Sequence, residues 1–352
     1  MITLLSPSNS AVLSILSGTQ KEFIRRSALL TPDDARKVEN RPYSWLDPKI
    51  DEDDNAHKPA SITLMWKNSS PLNVTKVHIS TESDFSVTDH IATVAPIHYC
   101  SENDMYFCVL NNLLSGQKYY WKITCGNETS ETRSFSTVYG EMRTIRADGV
   151  GNVRDIGGRV NRDGRRIKQG LIFRGAMLNN LTKPECSSMN GLGVLRDDIG
   201  IKTDIDLRWE AIGKYEYCQL GDHINYNLIP AGAYEELLNG YQGDIFIRIF
   251  DILADENTYP IYFHCVSGAD RTGCIGAMLD AILGMSDEDI ILNYNITSLS
   301  TVRCWYTNAA AFIDKMNELF PGCSLAEQLM ATVKFLGISD DTIEKLRNNL
   351  LE

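Results

Sequence analysis

The sequence contains no apolar run long enough to cross a bilayer, and its opening residues have neither the basic flank nor the sustained apolar core of a signal peptide. Its nine cysteines include no CxxC pair and no zinc-type spacing, so neither a metal cluster nor a disulfide framework is indicated. Lysine and arginine total 34 against 46 acidic residues, a formal charge of −12 that argues against general binding to nucleic acid or anionic membranes. We therefore expect a cytoplasmic protein with no nucleic-acid partner and no membrane insertion, secretion being the open alternative.

The length of 352 residues exceeds that of one typical domain, and predicts two domains that each bury a core. Hydrophobic residues make up 43% and charged residues 23%, the proportions of a globular protein. The pattern of the sequence changes after Val138 from short strands to strands that alternate with helices. We therefore place the boundary there and expect domains at residues 1–138 and 139–352.

Short strands dominate residues 60–137. In SITLMW, Ile62, Leu64 and Trp66 alternate with other residues, and four similar runs follow, ending with TRSFSTV. The runs have four to eight residues, are rich in β-branched and aromatic types, and are bounded by Gly, Asn, Asp or Ser. This spacing predicts an all-β sandwich.

The segment LLSGQKYYWKI resembles the part of fibronectin type III domains in which a leucine precedes the tyrosine of a tyrosine corner by six residues. Leu113 and Tyr119 have that spacing, and Trp66 stands where the early-strand tryptophan belongs. The resemblance implies a fibronectin type III-like sandwich with an insertion at about residues 18–58, partly helical in pattern. Trp66 and Tyr119 are interpreted as core and corner residues without a chemical role.

Beyond Val138, buried strand-like segments alternate with helical patterns, and the last 68 residues are almost entirely helical in pattern. Such alternation predicts an α/β domain with a mainly parallel sheet flanked by helices. The strand-like segments are GLIFRG, KTDIDLRW, HINYNLIP and YPIYFHC, and the clearest helices are DIFIRIFDILAD and CIGAMLDAILG.

The segment HCVSGADRTG connects the last of these strands to a helix that we expect to begin near Thr272. Amide groups that curl at a helix N-terminus form an anion site, with Gly268 relieving the backbone and the Arg271 guanidinium suited to two phosphate oxygens. The same groups would lower the pKa of Cys265 and make its thiolate a nucleophile. The alternative, for Cys265 alone, is an ordinary buried cysteine at a strand end.

HCVSGADRTG resembles the HC-x5-R signature, followed by Ser or Thr, of cysteine-dependent protein tyrosine and dual-specificity phosphatases. GNVRDIGG resembles the N-x-R-D-L/I-G-G opening of a bacterial tyrosine/serine phosphatase branch, and GLIFRG and GIKTDIDLRWE match two further segments. The resemblance covers roughly residues 148–352.

The resemblance implies a role for each matched position. Cys265 would be the nucleophile, Arg271 would bind phosphate, and Thr272 would help the thiolate leave. His264 would support the loop by hydrogen bonding, and no metal or organic cofactor is implied. The phosphate-binding loop, residues 264–271, would surround the phosphate with His264, Val266, Ser267, Gly268 and Ala269.

Two positions depart from the branch. Ala269 stands where a lysine is common, which favours phosphotyrosine over phosphoinositide substrates. No aspartate follows the LIP-like segment, so the general acid stays open among Asp270, Asp206 and the pair Glu235 and Glu236. Asp206 has a structural alternative, as the partner of Arg154 or Arg174.

These features predict a phosphomonoester hydrolase, foremost a protein tyrosine phosphatase with dual specificity as a possibility. Its partner would be a phosphotyrosine protein or another phosphomonoester, with a further protein partner for the N-terminal domain. The alternative is a catalytically silent module that binds phosphate or phosphoproteins and interacts through its β-sandwich.

Overall fold

The structure, a computed structural model, describes residues 1–27, 56–68, 75–88, 92–179, 189–238, 240–300 and 306–352. Helix α1 (Gly18–Ser27) lies in the predicted insertion, whose residues 28–55 are outside the described ranges. Apart from α1, the described elements up to Thr137 are strands, and strands alternate with helices from Arg154 onward.

The strands of the N-terminal region form two five-stranded sheets, counted over the described residues. Neighbouring strands are antiparallel except β2 and β10, which are parallel. The first sheet contains β1 (Thr3–Ser6), β3 (Ile62–Lys67), β7 (Met105–Asn111), β5 (Thr93–Val94) and β6 (His98–Cys100), and the second contains β2 (Ala11–Leu13), β10 (Arg133–Thr137), β8 (Lys118–Cys125), β4 (Thr75–Ser80) and β9 (Glu128–Thr129).

One hydrophobic core fills the space between these two sheets. Trp66 of the first sheet and Tyr119, Trp121 and Phe135 of the second are all fully buried in it. The Tyr119 hydroxyl accepts a hydrogen bond from the Leu114 amide (2.7 Å). The prediction that Trp66 and Tyr119 are core residues is therefore confirmed.

The third sheet confirms the predicted α/β arrangement, because four of its five strands are parallel and only β11, at one edge, is antiparallel. Its strand order is β11 (Arg154–Asp155), β12 (Ile172–Gly175), β15 (Ile261–His264), β13 (Thr203–Asp206) and β14 (Asn225–Leu228). The helices are α2 (Met189–Gly193), extended by a π turn at Val194–Asp198, α3 (Gly243–Ala254), α4 (Asp270–Ile282), α5 (Asp287–Asn295), α6 (Tyr306–Leu319), α7 (Leu325–Phe335) and α8 (Asp340–Leu350).

Helix α4 is buried on all sides. Every residue from Thr272 to Ile282 is buried, which explains why the sequence CIGAMLDAIL has no polar stripe. Strands β12, β13 and β15 are parallel, so their carboxyl ends meet at the edge of the sheet where α4 begins. Ligands of open α/β sheets bind at such an edge.

Serine caps begin the later helices, as the sequence indicates. Ser286 accepts a hydrogen bond from the amide of Asp289, and Ser324 forms a capping box with Glu327. None of the helices in the described ranges is long and apolar enough to cross a membrane.

Candidate active site

The phosphate-binding loop follows β15 and enters α4 two residues earlier than the sequence indicates. The helix begins at Asp270 because Ala269 already has a helical backbone (φ −99°, ψ −75°), and an acidic first residue suits the helix N-terminus. Gly268 has a φ of +66°, and a Cβ there would lie 2.3 Å from the Gly175 carbonyl oxygen. Glycine is therefore required where the loop crosses the end of β12.

Three successive carbonyl groups of the loop are bound by donors outside it. The Met177 amide bonds the carbonyl of Val266 (3.1 Å), and the Asn152 side chain bonds the next two carbonyls (3.1 and 2.9 Å). The buried Arg174 guanidinium also bonds the carbonyl of Gly268 (3.0 Å). These contacts fix the path of the loop backbone at the N-terminus of α4, where successive amide groups are suited to bind an anion.

Cys265 lies at the start of this loop, and its side chain is almost fully buried. Burial raises the pKa of its thiol, but the hydroxyl and amide of Thr272, the charge of Arg271 and the amide of Ala269 together lower that pKa below its ordinary value. The predicted site residues Cys265, Arg271 and Thr272 are thus brought together, with the thiolate favoured.

Arg271 is held by a carboxylate that the sequence analysis did not include in the site. Its Nη1 and Nη2 atoms bond the two carboxylate oxygens of Glu210 (3.0 and 3.2 Å), and Nη1 also bonds the carbonyl of Leu207 (3.3 Å). The hydrogen bond from Arg271 lowers the pKa of Glu210 and keeps that carboxylate charged. The available signal was the position of Glu210, four residues after the end of β13, which neighbours β15.

His264 supports the loop rather than facing the substrate side as a base. It is buried, with Nε2 3.2 Å from a carboxylate oxygen of Asp204 and Nδ1 3.1 Å from the carbonyl of Cys265. Burial lowers the pKa of His264, but the charges of Asp204 and Asp206 raise it overall. Asp204 is a second acidic residue of the site that the sequence analysis missed.

Asp206 is enclosed in an ion pair. Arg208 bonds both of its carboxylate oxygens (2.8 and 2.6 Å), and the Tyr226 hydroxyl bonds one of them (2.9 Å). Burial raises the pKa of Asp206, but His264, Arg208 and Tyr226 lower it overall, which disfavours the protonated form that an acid needs. The prediction that Asp206 pairs with Arg154 or Arg174 is therefore wrong.

The side chains of Arg154 and Arg174 bond groups at the phosphate-binding loop and its supports instead of Asp206. Arg174 bonds the carbonyl of Gly268, and Arg154 holds Asn152 by a hydrogen bond to its side-chain oxygen (2.6 Å). The sequence motifs GNVRDIGG and GLIFRG therefore supply supports beneath the loop.

The remaining acid candidates differ in their surroundings. Asp270 is partly buried in the first turn of α4, and the Tyr234 hydroxyl donates to its Oδ1 atom (2.5 Å) while also contacting the hydroxyl of Tyr294. Glu235 and Glu236 are exposed, and Glu236 accepts from the amide of Ala233 in its own turn (3.0 Å). Asp270 is the candidate that adjoins Arg271.

Comparison with known proteins identifies the family of the region that contains this site. The tyrosine phosphatase family matches residues 145–334, more than half of the 352-residue chain. The chain belongs to the tyrosine phosphatase family. Residues 55–137 are similar to a different family, described as the N-terminal domain of purple acid phosphatase, whereas the sequence predicts a fibronectin type III-like domain there.

Two curated relatives share only part of their length with this member of the tyrosine phosphatase family. One, from Cupriavidus necator, carries a provisional name as a tyrosine-protein phosphatase; it is 25% identical over 171 residues, covering 42% of the chain and 60% of the relative. The other, a tyrosine-protein phosphatase of Nostoc commune, is 27% identical over 154 residues, covering 38% of the chain and 50% of the relative. The chain therefore spans about half to three fifths of these relatives.

A solved structure is also similar to this family member over its C-terminal part. The core catalytic domain of the PP-IP phosphatase SIW14 from S. cerevisiae covers 52% of the chain and 90% of its own length, at 16% identity and a TM-score of 0.30.

Proposed function

We propose that the protein hydrolyses phosphate monoesters, phosphotyrosine in proteins foremost, through a phosphocysteine intermediate. The observation that carries the proposal is the lowered pKa of Cys265 inside a loop whose carbonyl groups are bound from outside. A thiolate held by the amide groups of a loop at a helix N-terminus and beside an arginine is suited to attack on phosphorus.

In the first step the Cys265 Sγ atom attacks phosphorus, the bond from phosphorus to the ester oxygen breaks, and the departing oxygen takes a proton. Asp270 is the donor in this proposal, acting through its Oδ2 atom because the Tyr234 hydroxyl engages Oδ1. In the second step water attacks phosphorus and gives its proton to Asp270, while the sulfur leaves as a thiolate stabilised by Thr272. Arg271 binds the phosphate oxygens in both steps.

The substrate class follows from the charges at the loop. Ala269 supplies no cation, and Glu210 neutralises much of the charge of Arg271. Such a site favours a single phosphate group on an aromatic or aliphatic carrier over a polyphosphorylated one. We also propose domains at 1–138 and 139–352, with a fibronectin type III-like arrangement of the N-terminal sheets.

One observation favours the rival function, a silent module that binds phosphate. Both terminal nitrogens of Arg271 already bond Glu210, which competes with a substrate for the guanidinium. In that case the protein binds tungstate without turnover and without a burst of released alcohol.

The test compares the full chain with Cys265→Ser on an aryl phosphate and on a phosphotyrosine peptide. We expect Cys265→Ser to lower kcat by about 10⁴-fold or more, as loss of a nucleophile does elsewhere. Cys323→Ser, which alters an exposed thiol, is the matched control and should behave as the parent. Equal rates for the parent and Cys265→Ser would exclude the phosphocysteine mechanism.

A further inference from the structure

Arg143 is a buried cation outside the site described above, and it joins the N-terminal sheets to the sheet of the phosphatase domain. Its Nε and Nη2 atoms donate to the carbonyls of Leu113 (3.1 Å) and Asn112 (2.7 Å), in the turn after β7. Its Nη1 atom pairs with Asp155 of β11 (2.8 Å), and only 4% of the arginine side chain is exposed. Burying a charge is costly unless it is paired, and here every part of the guanidinium has a partner.

Asp155 uses the same carboxylate to hold the turns that flank β11. Its Oδ1 atom accepts from the amide of Gly157 (2.8 Å), and its Oδ2 atom accepts from the amide of Gly170 (2.7 Å) as well as from Arg143. The position of β11 is therefore set by the ion pair and by two glycine amides.

The backbone around Arg143 is also paired with this strand. The amide of Asp155 bonds the carbonyl of Arg143, and the amide of Ile145 bonds the carbonyl of Val153, both at 2.9 Å. The Asn112 side chain bonds the amide and the carbonyl of Arg146 (2.7 and 3.2 Å). The segment between the two domains is thus clamped by the N-terminal sheets and extends the third sheet.

The other contacts of β11 lead to the phosphate-binding loop. Arg154 bonds the side-chain oxygen of Asn152 (2.6 Å), and the Asn152 amide group bonds the carbonyls of Ser267 and Gly268. Two sets of hydrogen bonds, joined by the backbone of β11 between Asp155 and Arg154, therefore connect the turn after β7, through Arg143, to the loop that contains Cys265.

We infer that Arg143 is a positioning residue for the phosphate-binding loop, through which the N-terminal sheets set the geometry in which Cys265 and Arg271 receive phosphate. Its importance for catalysis rests on the proposed phosphatase function. Its direct effects, on thiol reactivity and on oxyanion binding, do not require turnover and can be measured separately.

The test removes the ion pair without leaving a buried charge, by the double variant Arg143→Met with Asp155→Asn. The matched control is Lys58→Met with Asp148→Asn, which neutralises an ion pair (2.6 Å) between the N-terminal region and the segment that follows it, and the two sets of hydrogen bonds above do not include this pair. For each protein, the rate of alkylation of Cys265 by iodoacetate is measured as a function of pH by mass spectrometry of the Cys265 peptide. Calorimetry gives the affinity for tungstate, and thermal unfolding shows whether the protein is folded.

Iodoacetate reacts with the thiolate, so the alkylation rate rises with pH and has its inflection at the pKa of Cys265. Because that pKa is lowered, the inflection of the parent lies at a lower pH than that of an ordinary thiol. A disturbed loop moves the inflection to higher pH. We expect the Arg143→Met/Asp155→Asn protein to show an upward shift and a tungstate Kd weakened by about 3- to 30-fold, while the control keeps both parental values. A folded double variant with the parent's inflection and Kd overturns the inference.

A second variant decides the question if the double variant does not fold. Asn112→Gly, which suits the φ of 60° at this position, removes the clamp on Arg146 together with the side-chain hydrogen bond to Thr93 (3.0 Å). It should move the inflection and the Kd in the same directions, whereas unchanged values overturn the inference. The two proposals fail differently: a parent that does not hydrolyse any phosphomonoester contradicts the proposed function, while the alkylation and tungstate comparisons still test Arg143.

Discussion

Asp270 and Asp206 are both aspartates near the nucleophile, yet their contacts assign them different tasks. Asp270 is partly exposed and has one oxygen bonded by Tyr234, whereas Asp206 is fully buried with both oxygens bonded by Arg208. A proton donor must change its charge during turnover, which a buried ion pair opposes. The contacts therefore favour Asp270 as the acid.

We expect Asp270→Asn to slow hydrolysis of phosphotyrosine by about 10²- to 10⁴-fold, because the leaving oxygen then departs without a proton. An activated ester such as dinitrophenyl phosphate should be affected little, since its leaving group needs no protonation. The measurement is kcat across a series of leaving groups of increasing pKa. Asp206→Asn is the comparison: it should lower the unfolding temperature, because Arg208 loses its buried partner, and leave the slope of that series as in the parent. If Asp206→Asn changes the slope of kcat against leaving-group pKa and Asp270→Asn does not, Asp206 is the acid.

Helix α4 and strand β12 approach so closely that a glycine is needed between them. A Cβ at Gly276 would lie 2.4 Å from the Nη1 atom of Arg174, whose buried side chain bonds the carbonyl of Gly268. Because the guanidinium is enclosed, it cannot move into solvent to make room. The packing of α4 is thereby linked to the shape of the loop.

We expect Gly276→Ala to lower both the unfolding temperature and the affinity for tungstate, although alanine in a helix interior ordinarily stabilises by about 0.5–1 kcal/mol relative to glycine. Gly18→Ala is the control, since a Cβ there meets no atom within 4 Å. Thermal unfolding and calorimetry compare the three proteins. A Gly276→Ala protein at least as stable as the parent, with unchanged tungstate affinity, would show that Arg174 tolerates the methyl group.

Several contacts join the N-terminal sheets to the part of the chain that forms the third sheet. At one such contact the Gln169 side chain accepts a hydrogen bond from the backbone amide of Ser115 (2.7 Å) and donates one to its carbonyl (2.9 Å). Phe23 of α1 is fully buried and belongs to the same hydrophobic cluster as Met142, Ile296 and Leu299. Residues of the N-terminal region therefore complete part of the core of the phosphatase domain.

We expect a protein of residues 139–352 alone to unfold at a lower temperature than the full chain by several degrees, because it exposes Met142 and leaves Arg143 without its two carbonyl partners. Its hydrolysis of a small aryl phosphate should fall along with its activity on phosphoproteins. Circular dichroism during heating and a steady-state assay make the comparison. If the shortened protein keeps the parental unfolding temperature and small-substrate rate, the N-terminal sheets are a separable recognition unit.

The secondary structure could be predicted from local sequence patterns, because the conformation of a short segment depends mainly on the residues within it. Alternation in KYYWKIT predicts a strand with one buried face, and β8 has that form. The start of α4 was misjudged by two residues, since a glycine-containing loop does not reveal in its sequence which residue first adopts helical φ and ψ. The fibronectin resemblance predicted paired sheets correctly, while the family match is to the purple acid phosphatase N-terminal type.

The supports of the loop were harder to predict than the loop. Asn152 and Arg174 appear in recognised motifs, but nothing in those motifs shows that both donate to the carbonyl of Gly268. The sequence predicts Arg154 or Arg174 as the partner of Asp206, whereas Arg208, two residues along the chain, donates to it from both its backbone amide and its guanidinium.

Ten contiguous residues, HCVSGADRTG, were sufficient to predict a nucleophile, an anion-binding loop and a phosphate-binding arginine, because a strand, a turn and a helix N-terminus follow one another along the chain. Glu210, Arg174 and Arg143 act on that loop from other strands and from the junction between the domains. Their roles depend on which strands become neighbours in the sheets and on which buried charges then meet. Only folding brings those separated parts of the chain into contact.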